Sequence, residues 1–496
     1  MRQFCGMMFV LFGLLCLTSG CEKPDNVKTD SGKYVLYDYD VQDLSKFKVR
    51  DPAPKVDPNR KKLAEVYDAR HGGQRFVSVP AKSSAPAVVG LSRPEDIQAA
   101  KKRITELGGK LGFGPNRLPN SVRLASSGDS GVTVDDMKLI AKLGDLESIS
   151  LEGAVFDDTL TAPLAALKKL KLVSISNANI TTPTLEMLST LPELTTLELR
   201  RDLKLDDASL AVMEKMPKLE TFIALYNSFT NSGMNRISKV KTLKVVDVRG
   251  CTDISDTGAK YLARLPNLEE VSFRLMITDS GVENLVAAPK LRYIEFQDCE
   301  IDMGSAEFFK QMPALKELRI FRCKSFDDMT LTEISSMPFT RLELRDIPLS
   351  NEGIASLKGK ATLKSLELSE LPGVDADGLV DLVSSLTGLE EMNFFFIPFS
   401  DSGMEVLAAK SPDLKSLTVR TVDLSDAGID SILKLKKLEV LDIRENDKFS
   451  PAAMAKLGEM KSLKKLYVSG TCLTAKGNEQ ILRQLRQALP KCQITD

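Results

Sequence analysis

The chain has 496 residues, 43% of them hydrophobic and 27% charged, with Lys+Arg 67 balanced by Asp+Glu 68. The formal charge of −1 excludes the basic excess that marks a nucleic-acid binder. A single histidine and no tryptophan leave little for histidine-dependent catalysis or for stacking against sugar rings.

In chain order, Met1-Arg2 gives a positive start, Phe4 to Leu17 an apolar run, and Thr18-Ser19-Gly20-Cys21 follows. Residues 1–20 resemble a secretory signal of the bacterial lipoprotein type. In that type the small residue before the cysteine permits cleavage, which implies Cys21 as the lipidated first residue. Leu17 stands one position earlier than the type places its leucine. The run is shorter than the ~20 residues a bilayer core requires, so it is not read as a spanning helix. The expectation is an exported protein, lipid-anchored to a bacterial membrane and facing the cell envelope.

Residues 21–91 are poor in leucine and rich in Lys, Asp, Pro and Ser, and read as a low-complexity, largely disordered tether. Within it, Tyr34-Val35-Leu36-Tyr37 and Phe76-Val77-Ser78-Val79 are candidates for short strands or docking segments. His71, in Arg70-His71-Gly72-Gly73, is the histidine that a catalytic triad would have to use, and nothing in the pattern sets it against a partner. The chain is read as no enzyme, with no cofactor and no metal.

Residues 92–130 read as an N-terminal cap. A helix starts with Pro94 near its first turn, carries Ile97, Ile104 and Leu107, and stops at Gly108-Gly109. A hairpin of Lys110–Phe113 and Ser121–Leu124 turns through Gly114-Pro115-Asn116. The glycines of residues 108–114 follow a helix, not a strand, and lack phosphate-loop spacing.

From 131 to 474 the pattern Leu-x-x-Leu-x-Leu recurs every 23 to 26 residues. Its first positions are Leu146, Leu170, Leu194, Leu219, Leu243, Leu268, Leu291, Leu315, Phe339, Leu363, Leu389, Leu414, Leu438 and Leu463. That makes fourteen repeats, with a partial one opening at Val122-Leu124 and a degenerate fifteenth at Leu489-Cys492-Ile494. Apolar fourth and sixth positions give the period-two signal of a short strand with one buried face. Ten to twelve residues after each first position stands a Ser, Thr or Asp, from Asp157 to Thr474, of the type that caps helix N-termini. A short apolar-periodic stretch follows, often closed by Pro, so each unit reads strand, turn, helix, turn. One unit cannot bury both its faces, so neighbours must stack. Residues 475–496 read as a C-terminal cap, with a helix over Asn478 to Ala488.

Roughly residues 118 to 496 resemble the leucine-rich repeat family. The variants Ser255-Asp256-Thr257-Gly258, Thr278-Asp279-Ser280-Gly281, Ser400-Asp401-Ser402-Gly403 and Ser425-Asp426-Ala427-Gly428 are similar to its cysteine-containing class. Position nine, where the family places Asn or Cys, holds Cys251, Cys299, Cys323, Asn227 and Asn446, and is apolar or irregular elsewhere. The resemblance implies an α/β fold: a right-handed solenoid (horseshoe) with a parallel β-sheet on the concave face and short helices on the convex face.

Five cysteines remain beyond Cys21, an odd number that is no disulfide framework. Cys299 and Cys323 should stack in consecutive repeats, either as two buried thiols or as a disulfide. Paired acids such as Asp157-Asp158 and Asp327-Asp328 read as a cap plus a charge favoured by the helix dipole, ahead of a calcium site.

Strand positions five and seven should point to solvent on the inner face. Position five carries many acids and position seven many arginines, which suits either mutual pairing or a binding strip. The candidate partner-binding residues are Arg200, Arg249, Arg274, Tyr293, Arg319, Phe321, Arg345, Phe395, Arg420, Arg444 and Tyr467. Phe321, Phe395, Tyr293 and Tyr467 are expected as exposed anchors, with Phe394 and Phe396 facing away from Phe395. The expected function is a membrane-anchored protein that binds a protein partner through the concave face. Carbohydrate or cell-wall binding and a purely structural scaffold are the alternatives.

Overall fold

The computed structural model describes residues 92–126, 131–474 and 478–496. The signal, Cys21, the tether and His71 lie outside the described residues. The described residues all fall within one compact unit.

Helix α1 spans Pro94–Glu106, with Pro94 in its first turn and Ala100 and Ile104 buried. Gly108, at φ 73°, ends it and admits the hairpin of β1 (Lys110–Phe113) and β2 (Pro119–Ala125). That hairpin is antiparallel; every later pairing in the 17-stranded sheet is parallel and joins strands adjacent in sequence. The fourteen repeats supply β3 (Ser148–Glu152) to β16 (Lys465–Tyr467), and β17 (Gln493–Thr495) closes the sheet.

The register shows why the leucine pattern specifies this stack. Val122 pairs with Ile149 and Leu124 with Leu151, so the opening partial repeat occupies positions four and six. Leu318 likewise faces Ile294 on one side and Leu342 on the other. Columns one, four and six are buried, and one contiguous apolar core runs from Ala100 to Leu489. At the far end the expected register shifts. Ile494 pairs with Leu466 at position four, not six. Leu489 ends the helix Glu479–Ala488 and packs there, so the strand starts later than a first-position leucine at 489 would place it.

Twelve of the fourteen expected caps, from Asp157 to Ser450, stand at helix N-caps. Two do not. Asp206 accepts from Ser209 N two residues ahead of the cap of a 3-10 helix (Ser209–Lys215), and Thr474 ends a 3-10 turn.

The acid after the cap does more than meet a helix dipole. Asp207 accepts from the backbone N–H and hydroxyl of Thr230, the cap of the next repeat, at 2.9 and 2.6 Å. Asp256 holds Thr278 in the same way at 2.8 Å twice, and Asp401 holds Ser425. The glycine two residues beyond this acid's position, one repeat later, makes room for it. A Cβ on Gly233 would lie 2.5 Å from Asp207 Oδ1, and one on Gly281 2.5 Å from Asp256 Oδ1. The Ser/Thr-Asp-x-Gly pattern is therefore a joint between neighbours: acid from one repeat, cap and glycine from the next.

A second set of inter-repeat bonds runs at position nine. Asn227 Oδ1 accepts from Asp202 N, and its Nδ2 donates to the Leu199 carbonyl. Asp202, also at position nine, accepts from Ala178 N at 2.8 Å and Arg200 N at 3.0 Å. Asn446 bonds Val422 N and the Val419 carbonyl. Cys323 Sγ receives the Cys299 N–H at 3.4 Å, and both thiols are free.

Candidate functional site

Position eight, just past each strand, has positive φ in all fourteen repeats: Gly at 153, 250 and 470, and non-glycine residues such as Tyr226, Asp298, Arg322, Glu370, Phe396 and Glu445 in the other eleven. The left-handed turn lets position nine drop into the core ladder while position eight extends beside position seven. The strand face therefore has a third polar row, at its exit edge.

At the centre of the face lies Glu295, whose side chain is 3% exposed. Arg249 Nη1 reaches it at 2.7 Å and Arg319 Nη1 at 3.2 Å, while Tyr293 Oη and Ser272 Oγ donate to its other oxygen. Arg319 Nε bonds Glu343 at 3.1 Å, and Arg341 Nε bonds the same carboxylate at 2.6 Å. With Asp247 on Arg249, charges alternate in one chain across repeats five to nine. Burial and the Glu295 charge push the Tyr293 phenol above its ordinary range, so it stays a donor. Burial, then the charge of Glu343, raises Glu367, which Asn393 Nδ2 holds at 2.7 Å.

Beside this network, guanidinium and aromatic groups stack. Arg322 sits 4.0 Å and Arg345 4.6 Å from the Phe321 ring centroid. Arg345 also lies 5.4 Å from Phe395, and Arg420 4.8 Å. Arg444 stands 5.3 Å from Tyr467. Each guanidinium is backed by a carboxylate: Arg322 by Asp298, Arg345 by Glu370, Arg420 by Glu445 and Arg444 by Asp442. Arg274 pairs with Asp298 as well.

The structure thus brings Arg249, Tyr293 and Arg319 into one network and Phe321, Arg345, Phe395 and Arg420 into one stack. Arg444 with Tyr467, and Arg200 with Arg274 around Tyr226, form separate groups. One expectation is corrected. Phe321 is 3% exposed, because guanidiniums from its own and the next repeat close over its ring. Tyr293, Phe395 and Tyr467 are half-buried. The Phe394–Phe396 run splits only in part: Phe394 is in the core, whereas Phe396, on the exit edge and 64% exposed, sets its ring beside that of Phe395 with centroids 6.3 Å apart. Sequence reasoning missed Asp298, Arg322, Glu370 and Glu445. The signal was their common column one residue past the arginine row.

A family model described as leucine-rich repeat matches residues 241–263. No curated protein matches. Among solved structures, the crystal structure of the yeast Rad7 and Elc1 complex is similar at 16% identity, covering 77% of this chain and 90% of that one, with a TM-score of 0.47. An internalin from Listeria monocytogenes is 17% identical over 67% of this chain and 82% of its own, with a TM-score of 0.38. A leucine-rich repeat protein of Leptospira interrogans is 16% identical over 76% and 90%, with a TM-score of 0.35. A strand-and-helix unit stacked fourteen times along one sheet, with the repeat model matching residues 241–263, gives the described residues the α/β fold of a leucine-rich repeat solenoid.

Proposed function

We propose that this chain is an exported, lipid-anchored envelope protein that holds a protein partner against its strand face. Leucine-rich repeat arrays typically serve as binding scaffolds without catalysis, and this array is read in the same way. The observation that carries the reading is the exit side of the face, where Phe396 is 64% exposed beside Arg420, fixed by stacking and an ion pair, and Leu203 is 65% exposed two residues past Arg201, which stacks on Tyr226. Aromatic and arginine side chains already held in place lose little conformational freedom on association, which suits anchors of an interface.

A photocross-linker placed at Phe396 or Leu203 should capture the same partner in intact cells. One placed at Met329, exposed in the helix Asp328–Ile334, should not. Equal capture from Met329 would remove the strand face from the interface. For the anchor, Gly20-Cys21 supports lipidation, and Cys21→Ala should move the protein from the membrane to the soluble fraction. Retention on the membrane would reject that part.

A further inference from the structure

Most arginines of the strand face and its exit edge have a carboxylate partner. Among the described residues Arg200 and Arg201 are the exceptions, with no ion pair to either. They stand at positions seven and eight of the third repeat, with Arg201 exposed. Both flank the Tyr226 ring, at 5.8 and 4.9 Å from its centroid, and Arg274 approaches it at 5.9 Å. Tyr226 lies over Gly250, where a Cβ would strike the ring. Arg200 Nε is shut off from solvent and has no acceptor. A covered donor without a partner is rare in folded proteins and calls for an explanation.

The floor beside these arginines also differs from the rest of the face. Positions five and seven of the fourth repeat are Ile223 and Leu225, both half-buried, where neighbouring repeats carry Glu198, Asp247 and Arg249. Leu203 and Lys204 continue the basic and apolar character along the edge, both exposed. A planar guanidinium presents paired donors that match a carboxylate, and two side by side can hold one or two of them.

We infer that the strand face at repeats three to six binds an acidic, apolar-containing segment of a partner protein, its carboxylates on Arg200 and Arg201 and its apolar side chain on Ile223 and Leu225. This rests on the reading of the strand face as a protein-binding surface, and names the partner's chemistry. Charge complementarity selects the occupant: among the described residues Arg200 and Arg201 have no ion-paired carboxylate, unlike the other arginines of the face, and a carboxylate-bearing segment supplies one.

The test uses the full chain in detergent and two fluorescein-labelled hexapeptides, Glu-Leu-Glu-Leu-Asp-Phe and its amide twin Gln-Leu-Gln-Leu-Asn-Phe. Fluorescence anisotropy should show the acidic peptide binding at least tenfold more tightly, with the preference shrinking as salt rises. Arg200→Gln with Arg201→Gln should cut the preference below twofold. Leu203→Glu, at an exposed edge position, should weaken the acidic peptide alone and serves if the double variant does not fold. Equal binding of the two peptides, or an unchanged preference in the variants, overturns the inference. So does binding to vesicles of anionic phosphatidylglycerol with no preference between the peptides, which would make the patch a membrane contact. If the preference is absent while cross-linking at Phe396 still captures its partner, this patch fails and the binding face stands.

Discussion

At the scale of single residues, Asp202 sets the sharpest expectation. It is 0% exposed, its acceptors are met by two backbone N–H groups, and burial pushes its carboxyl up to about 7. An unfolded aspartate titrates near 3.9, so between about pH 4 and 7 the folded chain keeps a proton that the unfolded chain has released. The group's contribution to stability is therefore present below that window and lost as pH rises through it. Asp202→Asn should flatten the dependence and raise unfolding free energy at pH 8 by roughly 1–3 kcal/mol, leaving pH 4 nearly unchanged. The amide has a precedent in Asn227, which donates to the carbonyl one repeat back. Denaturant melts at the two pH values check it, and an equal loss of stability at both would refute it. This residue was legible as a member of the repeat but not as a rung of the position-nine ladder, because its charge argues for the surface. Phe321 failed for the converse reason: an aromatic in a solvent-facing column counted as exposed until the reach of two guanidiniums was known.

At the scale of the element, the joint between repeats makes a sign-reversing prediction. Gly233 lies in the helix Asn231–Ile237, where alanine is intrinsically favoured by about 1 kcal/mol. A Cβ there displaces the Asp207 carboxylate from Thr230 N and Oγ1, two bonds to a charged acceptor at roughly 1.5–3 kcal/mol each. Gly233→Ala should thus destabilise by about 2–5 kcal/mol in the natural sequence and stabilise by up to about 1 kcal/mol once Asp207→Ala is present. Additive effects in the double-mutant cycle would mean the glycine is not there for the acid. The caps were readable because a short polar side chain before an apolar-periodic stretch has one strong use. The acid's partner was not, because it lies one repeat away and the helix dipole already offered a local explanation.

At the scale of the whole molecule, each repeat packs its core against its two neighbours, and only side-chain links such as Arg249–Glu295 reach one repeat farther. Leu318, 1% exposed and paired on both sides, is where a buried carboxylate should break it. Leu318→Asp should abolish hydrogen-exchange protection of strands Tyr293–Gln297 and Arg341–Arg345 while β4 (Leu172–Ser176) and β14 (Ser416–Arg420) retain theirs. Full protection throughout would contradict a shared interior. The leucine columns were visible because burial at a fixed period leaves a compositional trace. The alternating charges across repeats five to nine left none: Arg249 and Glu295 are 46 residues apart, and only side-chain reach decides their meeting.

The exit-edge turn carries one more implication. Glycine is the least strained residue in a left-handed conformation, and the chain accepts it at 153, 250 and 470. Eleven sibling positions nevertheless keep a side chain, at a conformational cost of about 1 kcal/mol apiece. A sequence selected for durability alone would drift toward glycine down that whole column. Its diversity there, with tyrosine, leucine, phenylalanine and both signs of charge, records what the fold gives up in ruggedness to keep a distinct outward text along one margin.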